Sequence, residues 1–135
     1  ELEIAKNQSD LNPIFYIQYA HARICNIIKK AKDLGFDEND EKSIASLNQT
    51  LENELIITII NFPDMIKKTY EKLDPQIISN YLEDLAAKFH KYYSKHRIMT
   101  EDKEVTNARL FLIDSLRIVF RNALLILGIE AKERM

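Results

Sequence analysis

Residues 103–127 constrain the fold more than any other part of the chain. Their polar interruptions, Asp114, Arg117 and Arg121, recur at spacings of three and four. That places them on one stripe of a helix and leaves most of the remaining circumference apolar. A helix so apolar can be covered only from several sides, so it belongs at the centre of a helical bundle. Gly128 follows immediately and supplies the left-handed residue that ends helices. Among the 135 residues the only other glycine is Gly35, at the end of another helix-periodic stretch. Asn-Gly turns and strict alternation, the marks of hairpins and half-buried strands, are absent, so the expected class is all-α.

The rest of the chain parses in the same way, giving a bundle of about five helices. The first is expected from about residue 13 to residue 34, with Asn12 as cap, Pro13 at the first turn and Gly35 as stop. An acidic loop follows. A second helix is expected near 47–61, with Leu51, Leu55, Ile56, Ile59 and Ile60 facing inward. Pro63 opens a short third one. Asp74-Pro75 opens a long fourth one to about residue 97, on which Ile78, Leu82, Leu85, Phe89 and Tyr92 form one core-facing stripe.

A length of 135 residues suits one domain, taken as residues 1–135. Hydrophobic residues at 46% against 30% charged describe a globular chain with a real core. The single cysteine, Cys25, precludes an internal disulfide and fits a reducing, cytoplasmic compartment. No apolar run reaches the roughly 18–20 residues of a membrane span, so no membrane partner is expected. The chain starts at Glu1 without an initiator methionine, and residues 1–9 read as the end of a longer helix. The expectation is a C-terminal fragment of a larger protein.

Several chemistries fall away. Both glycines sit at helix ends, so there is no phosphate-cradling loop. His21, His90, His96 and Cys25 lack metal-ligand spacing, and Cys25, among Ile24, Ile27 and Ile28, reads as a small buried hydrophobe. The carboxylate pairs Glu83-Asp84 and Glu101-Asp102 are adjacent in sequence, so they diverge on a helix and make poor acid–base partners. Nothing resembles an active site or a cofactor site.

Net charge is −2, but its distribution is uneven. Residues 37–54 are acidic. Residues 85–99 carry Lys88, Lys91, Lys95, Arg97, His90 and His96 without a carboxylate, with Phe89, Tyr92 and Tyr93 interleaved. Lys91 and Lys95 are candidate phosphate contacts, against the alternative of a solvated helix face. A second polar-aromatic stripe lies in NPIFYIQYAHAR (12–23), where Tyr16, Tyr19 and Arg23 recur at helical spacing.

This dodecapeptide resembles the signature of the C-terminal anticodon-binding domain of arginyl-tRNA synthetases. YLEDLAAKFHKYY (81–93), TNARLFLIDSLRIVFRNALLILGI (106–129) and ERM (133–135) resemble the same family in the same order. The likeness is weakest over residues 33–53. It implies a class I synthetase helical bundle that grips the anticodon stem and loop of arginine tRNA, with the central cytosine as the main base read. It also implies a catalytic domain of the same polypeptide, outside this chain, which handles ATP and magnesium. By that likeness Tyr16, Tyr19 and Arg23 line the loop surface, with Tyr93 and the terminal Met135 beside them. His96 stands where the family often has cysteine, and Lys132 where it usually has proline. Two other readings stay open: the bundle of a different class I synthetase, and a helical protein-interaction module with no RNA role.

Overall fold

The computed structural model describes residues 12–135. The expected helix end at residues 1–9 lies outside them. Among the described residues there are five α-helices and no strand: α1 (Pro13–Asp33), α2 (Thr50–Ile60), α3 (Phe62–Lys72), α4 (Gln76–Lys95) and α5 (Lys103–Ile126). None of these helices is long and apolar enough to cross a membrane.

The boundaries follow local chemistry. Asn12 Oδ1 accepts from the Phe15 N–H at 3.2 Å, and Pro13 sits in the first turn, where no N–H is needed. Gly35, at φ +88°, ends α1 in a Schellman closure: Phe36 N–H donates to the Ala31 carbonyl and Gly35 N–H to Lys32. Gly128, at φ +72°, does the same for α5 through Ile129 and Leu124. Asp102 starts α5 by accepting from the Glu104 and Val105 N–H groups. Between α2 and α3 the chain breaks at Asn61, because Pro63 has no N–H to continue the ladder.

As its composition requires, α5 is the central element. Leu110, Leu112, Ile113, Leu116, Phe120, Ala123 and Leu124 are all buried, and α1, α2 and α4 pack against it. The expected stripe on α4, Ile78, Leu82, Leu85, Phe89 and Tyr92, is fully buried.

Two expectations need correction. The acidic loop is not featureless: Glu41–Ser46 forms a 3₁₀ turn that packs on α5. Asn107 of α5 holds the approach to it, its Oδ1 accepting from the Asp37 N–H at 3.1 Å. One residue of the expected inner face of α2 is also misplaced: Leu51, Leu55, Ile56 and Ile59 pack on the core, and Ile60 does not. Leu55, Thr58 and Glu52 are buried, whereas Ile60 is exposed. Glu52 turns inward because it finds three donors: the Tyr92 hydroxyl at 2.6 Å, Arg109 Nε at 2.9 Å and the Gln49 N–H at 3.0 Å. Burial alone would raise its pKa, but these donors prevail and hold it below the ordinary value. Glu52 therefore belongs to the core rather than to an acidic surface.

Candidate nucleic-acid interface

On α1, Tyr19, Arg23, Asn26 and Lys30 follow one another at three- and four-residue spacing and so share a face. That face meets the C-terminal end of α4, where Tyr93 and Lys95 project, and the non-helical turn that carries Arg97. Together with residues 133–135 they enclose an open groove of about 870 Å³. Among the described residues, five cationic side chains, Arg23, Lys30, Lys95, Arg97 and Arg134, line it against one carboxylate side chain, Glu133. The field inside therefore favours an anion, although the whole chain is slightly acidic.

The floor is built from stacked planes. The Arg23 guanidinium lies 4.1 Å from the Tyr93 ring centroid and 5.8 Å from that of Tyr19. Both distances are within cation–π range. Tyr93 stacks in turn on Phe89 at 6.1 Å, and Tyr19 on His90 at 5.4 Å. Tyr19, Arg23 and Tyr93 are half-buried, so each plane is supported beneath while part of it remains accessible. Met135 is 51% exposed and lines the same groove. Single-stranded nucleic acid is recognised by such planes, with cations at the edge for phosphate.

Five of the seven expected contact residues, Tyr19, Arg23, Tyr93, Lys95 and Met135, thus line one groove. Lys91, one turn before Lys95 on the same side of α4, is exposed but outside the lining. Tyr16 is the correction. Only 7% of it is exposed, and its ring tilts against His90 at 5.0 Å. It packs beneath the groove and offers no free face for a base.

The basic run is also thinner than its sequence suggests. Lys88 pairs with Asp84 at 2.9 Å and donates to the Thr58 hydroxyl. His90 is buried. Burial, reinforced by the neighbouring Arg23 charge, lowers its pKa to about 4, so it carries no charge at neutral pH. Its Nδ1 accepts from Arg23 Nη1 at 3.4 Å, which puts the ring proton on Nε2. Among the described residues that Nε2 has no hydrogen-bond partner. His90 is thus a neutral support for Arg23. Lys30 and Asn26 entered no expectation from the sequence, although their spacing from Arg23 was a usable signal. Arg134 carried no comparable signal, since only the fold brings it there.

Residues 17–135 match the DALR anticodon-binding domain family. The chain belongs to that family. The domain is 40% identical over 135 residues to an arginine–tRNA ligase of Staphylococcus epidermidis, and 41% identical over 137 residues to that of Syntrophotalea carbinolica. Both alignments take in all of this chain but only 24% and 25% of the relatives, so it spans about a quarter of their length. Its fold is similar to that of a Campylobacter jejuni arginyl-tRNA synthetase, with a TM-score of 0.81 and 33% identity over 92% of this chain and 27% of that one. Thermus thermophilus arginyl-tRNA synthetase gives a TM-score of 0.76 and 30% identity, over 89% of this chain and 21% of that one.

Proposed function

We propose that this domain grips the anticodon stem and loop of an arginine tRNA and reads chiefly its central cytosine. In this reading it supports ATP-dependent arginylation by the enzyme to which it belongs. ATP and magnesium are handled by the catalytic domain of the same polypeptide, and the isolated domain charges no tRNA. The observation that carries the reading is the Arg23 guanidinium laid over Tyr93 and flanked by Tyr19, in a groove edged by cations. An unstacked base takes one of these planes, its polar edge takes the guanidinium and phenols, and its phosphates take the rim. Lys95 and, further out, Lys91 contact backbone without sequence preference.

Substitution of Tyr19 tests this. Tyr19→Ala in the full-length enzyme is expected to lower arginylation efficiency through tRNA binding by about 1–3 kcal/mol, the value of one stacked base. Arginine-dependent ATP–pyrophosphate exchange stays unchanged, because that chemistry lies in the other domain. The preference for tRNA with the central cytosine over a central-base mutant shrinks. If Tyr19→Ala keeps the wild-type ratio between the two tRNAs, Tyr19 is a packing residue and the site is misassigned. A protein-interaction module would show no steep salt dependence with tRNA, since it releases no counterions.

A further inference from the structure

The signature helix α1 carries two stripes, and the groove uses only one of them. Tyr19, Arg23, Asn26 and Lys30 form the first. Gln18, His21 and Cys25 form the second, rotated from it by roughly 140° at 3.6 residues per turn. The second stripe faces the chain after α5. Beyond Gly128 that segment has no regular secondary structure and runs back along α1. Ile129 and Ala131 rest on the core. Gln18 Nε2 donates to the Glu130 carbonyl at 3.0 Å, and His21 Nδ1 lies 2.7 Å from the Lys132 carbonyl. A carbonyl can only accept, so His21 holds its proton on Nδ1 and donates it there. His21 is 2% exposed. Directly after these two attachments come residues 133–135, which line the same groove as Tyr93.

We propose that Gln18 and His21 are positioning residues that hold the tail as a wall of the RNA groove. The two stripes of α1 divide the work: one touches the ligand, the other places the Glu133–Arg134–Met135 wall against it. The tail has no helix or strand ladder of its own. Among the described residues it is held by these two side-chain bonds, by the Ile129 N–H on the Leu124 carbonyl, and by the apolar contacts of Ile129 and Ala131. His21 suits the task because burial, helped by the neighbouring Arg117 and Arg121 charges, lowers its pKa and keeps the ring neutral, although the Lys132 bond and Glu133 pull the other way. The inference rests on the RNA-binding reading of the groove.

The test uses the full-length polypeptide and an RNA hairpin carrying the anticodon arm of an arginine tRNA. Gln18→Ala and His21→Ala are each expected to weaken binding about 3- to 10-fold, the worth of one hydrogen bond. Hydrogen exchange over residues 130–135 should rise in both. His21→Asn, whose amide can donate from near the Nδ1 position, should restore much of the affinity. In a chain ending at Ile129, His21→Ala and Gln18→Ala should cost nothing further, because the wall is already gone. The latch is overturned if exchange rises while the hairpin binds as before, or if the variants weaken binding equally in the shortened chain. If His21→Ala fails to fold, the half-buried Gln18 decides by the same criteria. If wild-type protein does not bind the hairpin, the RNA reading itself fails. Exchange then reports on the tail attachment alone, and the positioning claim falls with the reading.

Discussion

Replacing Glu52 with alanine should destabilise this domain more than most single changes. Glu52 is 1% exposed, and its Oε2 accepts from both the Tyr92 hydroxyl and Arg109 Nε. The Arg109 side chain is itself 12% exposed, and its Nη1 also donates to the Arg97 carbonyl at 2.6 Å. Removal of the carboxylate strands the Tyr92 hydroxyl, at about 1–3 kcal/mol. It also leaves a largely buried guanidinium with one neutral acceptor. Breaking one side of a buried ion pair typically costs about 3–5 kcal/mol in total, a large share of the 5–15 kcal/mol that holds a domain together. Urea denaturation should show the midpoint falling by at least about 1 M with an unchanged slope. Glu52→Gln, which keeps the volume and one acceptor, should cost less. Because the folded carboxyl lies below its ordinary value of 4.5, its contribution is complete above that pH. The contribution disappears as the pH falls through the folded value, so wild type and Glu52→Gln should converge in acid. A loss under about 1 kcal/mol for Glu52→Ala at pH 7 would mean that the network is solvated, and the reasoning would fail.

Leu124 is fully buried on the central helix, so Leu124→Ala should cost roughly 2–5 kcal/mol in the same denaturation assay, and a change under about 0.5 kcal/mol would contradict its placement. Leu73 ends α3 at φ +52° while 86% exposed, so Leu73→Gly should raise stability by about 0.5–1 kcal/mol, and a destabilised variant would refute the strain. Changing Lys91 and Lys95 together to alanine should weaken every tRNA about equally and flatten the salt dependence by roughly one to two units of slope; an unchanged slope would make this a solvated face.

The sequence by itself determined the elements and most of the contact stripe. Helix ends were legible because Asn12, Pro13, Gly35 and Gly128 act on their own neighbours, over a span of a few residues. The central place of α5 was legible because a helix apolar on most sides has no other stable position. Tyr19 and Arg23 share a face by spacing alone, whereas their meeting with Tyr93 and Met135 was expected from family resemblance.

Tertiary structure decided what depends on partners far along the chain. Glu52 sits among acidic residues, and the Gln49 N–H three positions away does not by itself bury a carboxylate; its two side-chain donors are 40 and 57 positions away. Tyr16 and Tyr19 are alike in type and stripe and His90 packs against both from another helix, yet Tyr16 is buried and only Tyr19 keeps an accessible face. His90 counted as a possible cation until burial beside Arg23 made it neutral. The tail reached its place through carbonyls at Glu130 and Lys132, groups that every residue carries and that no sequence pattern marks.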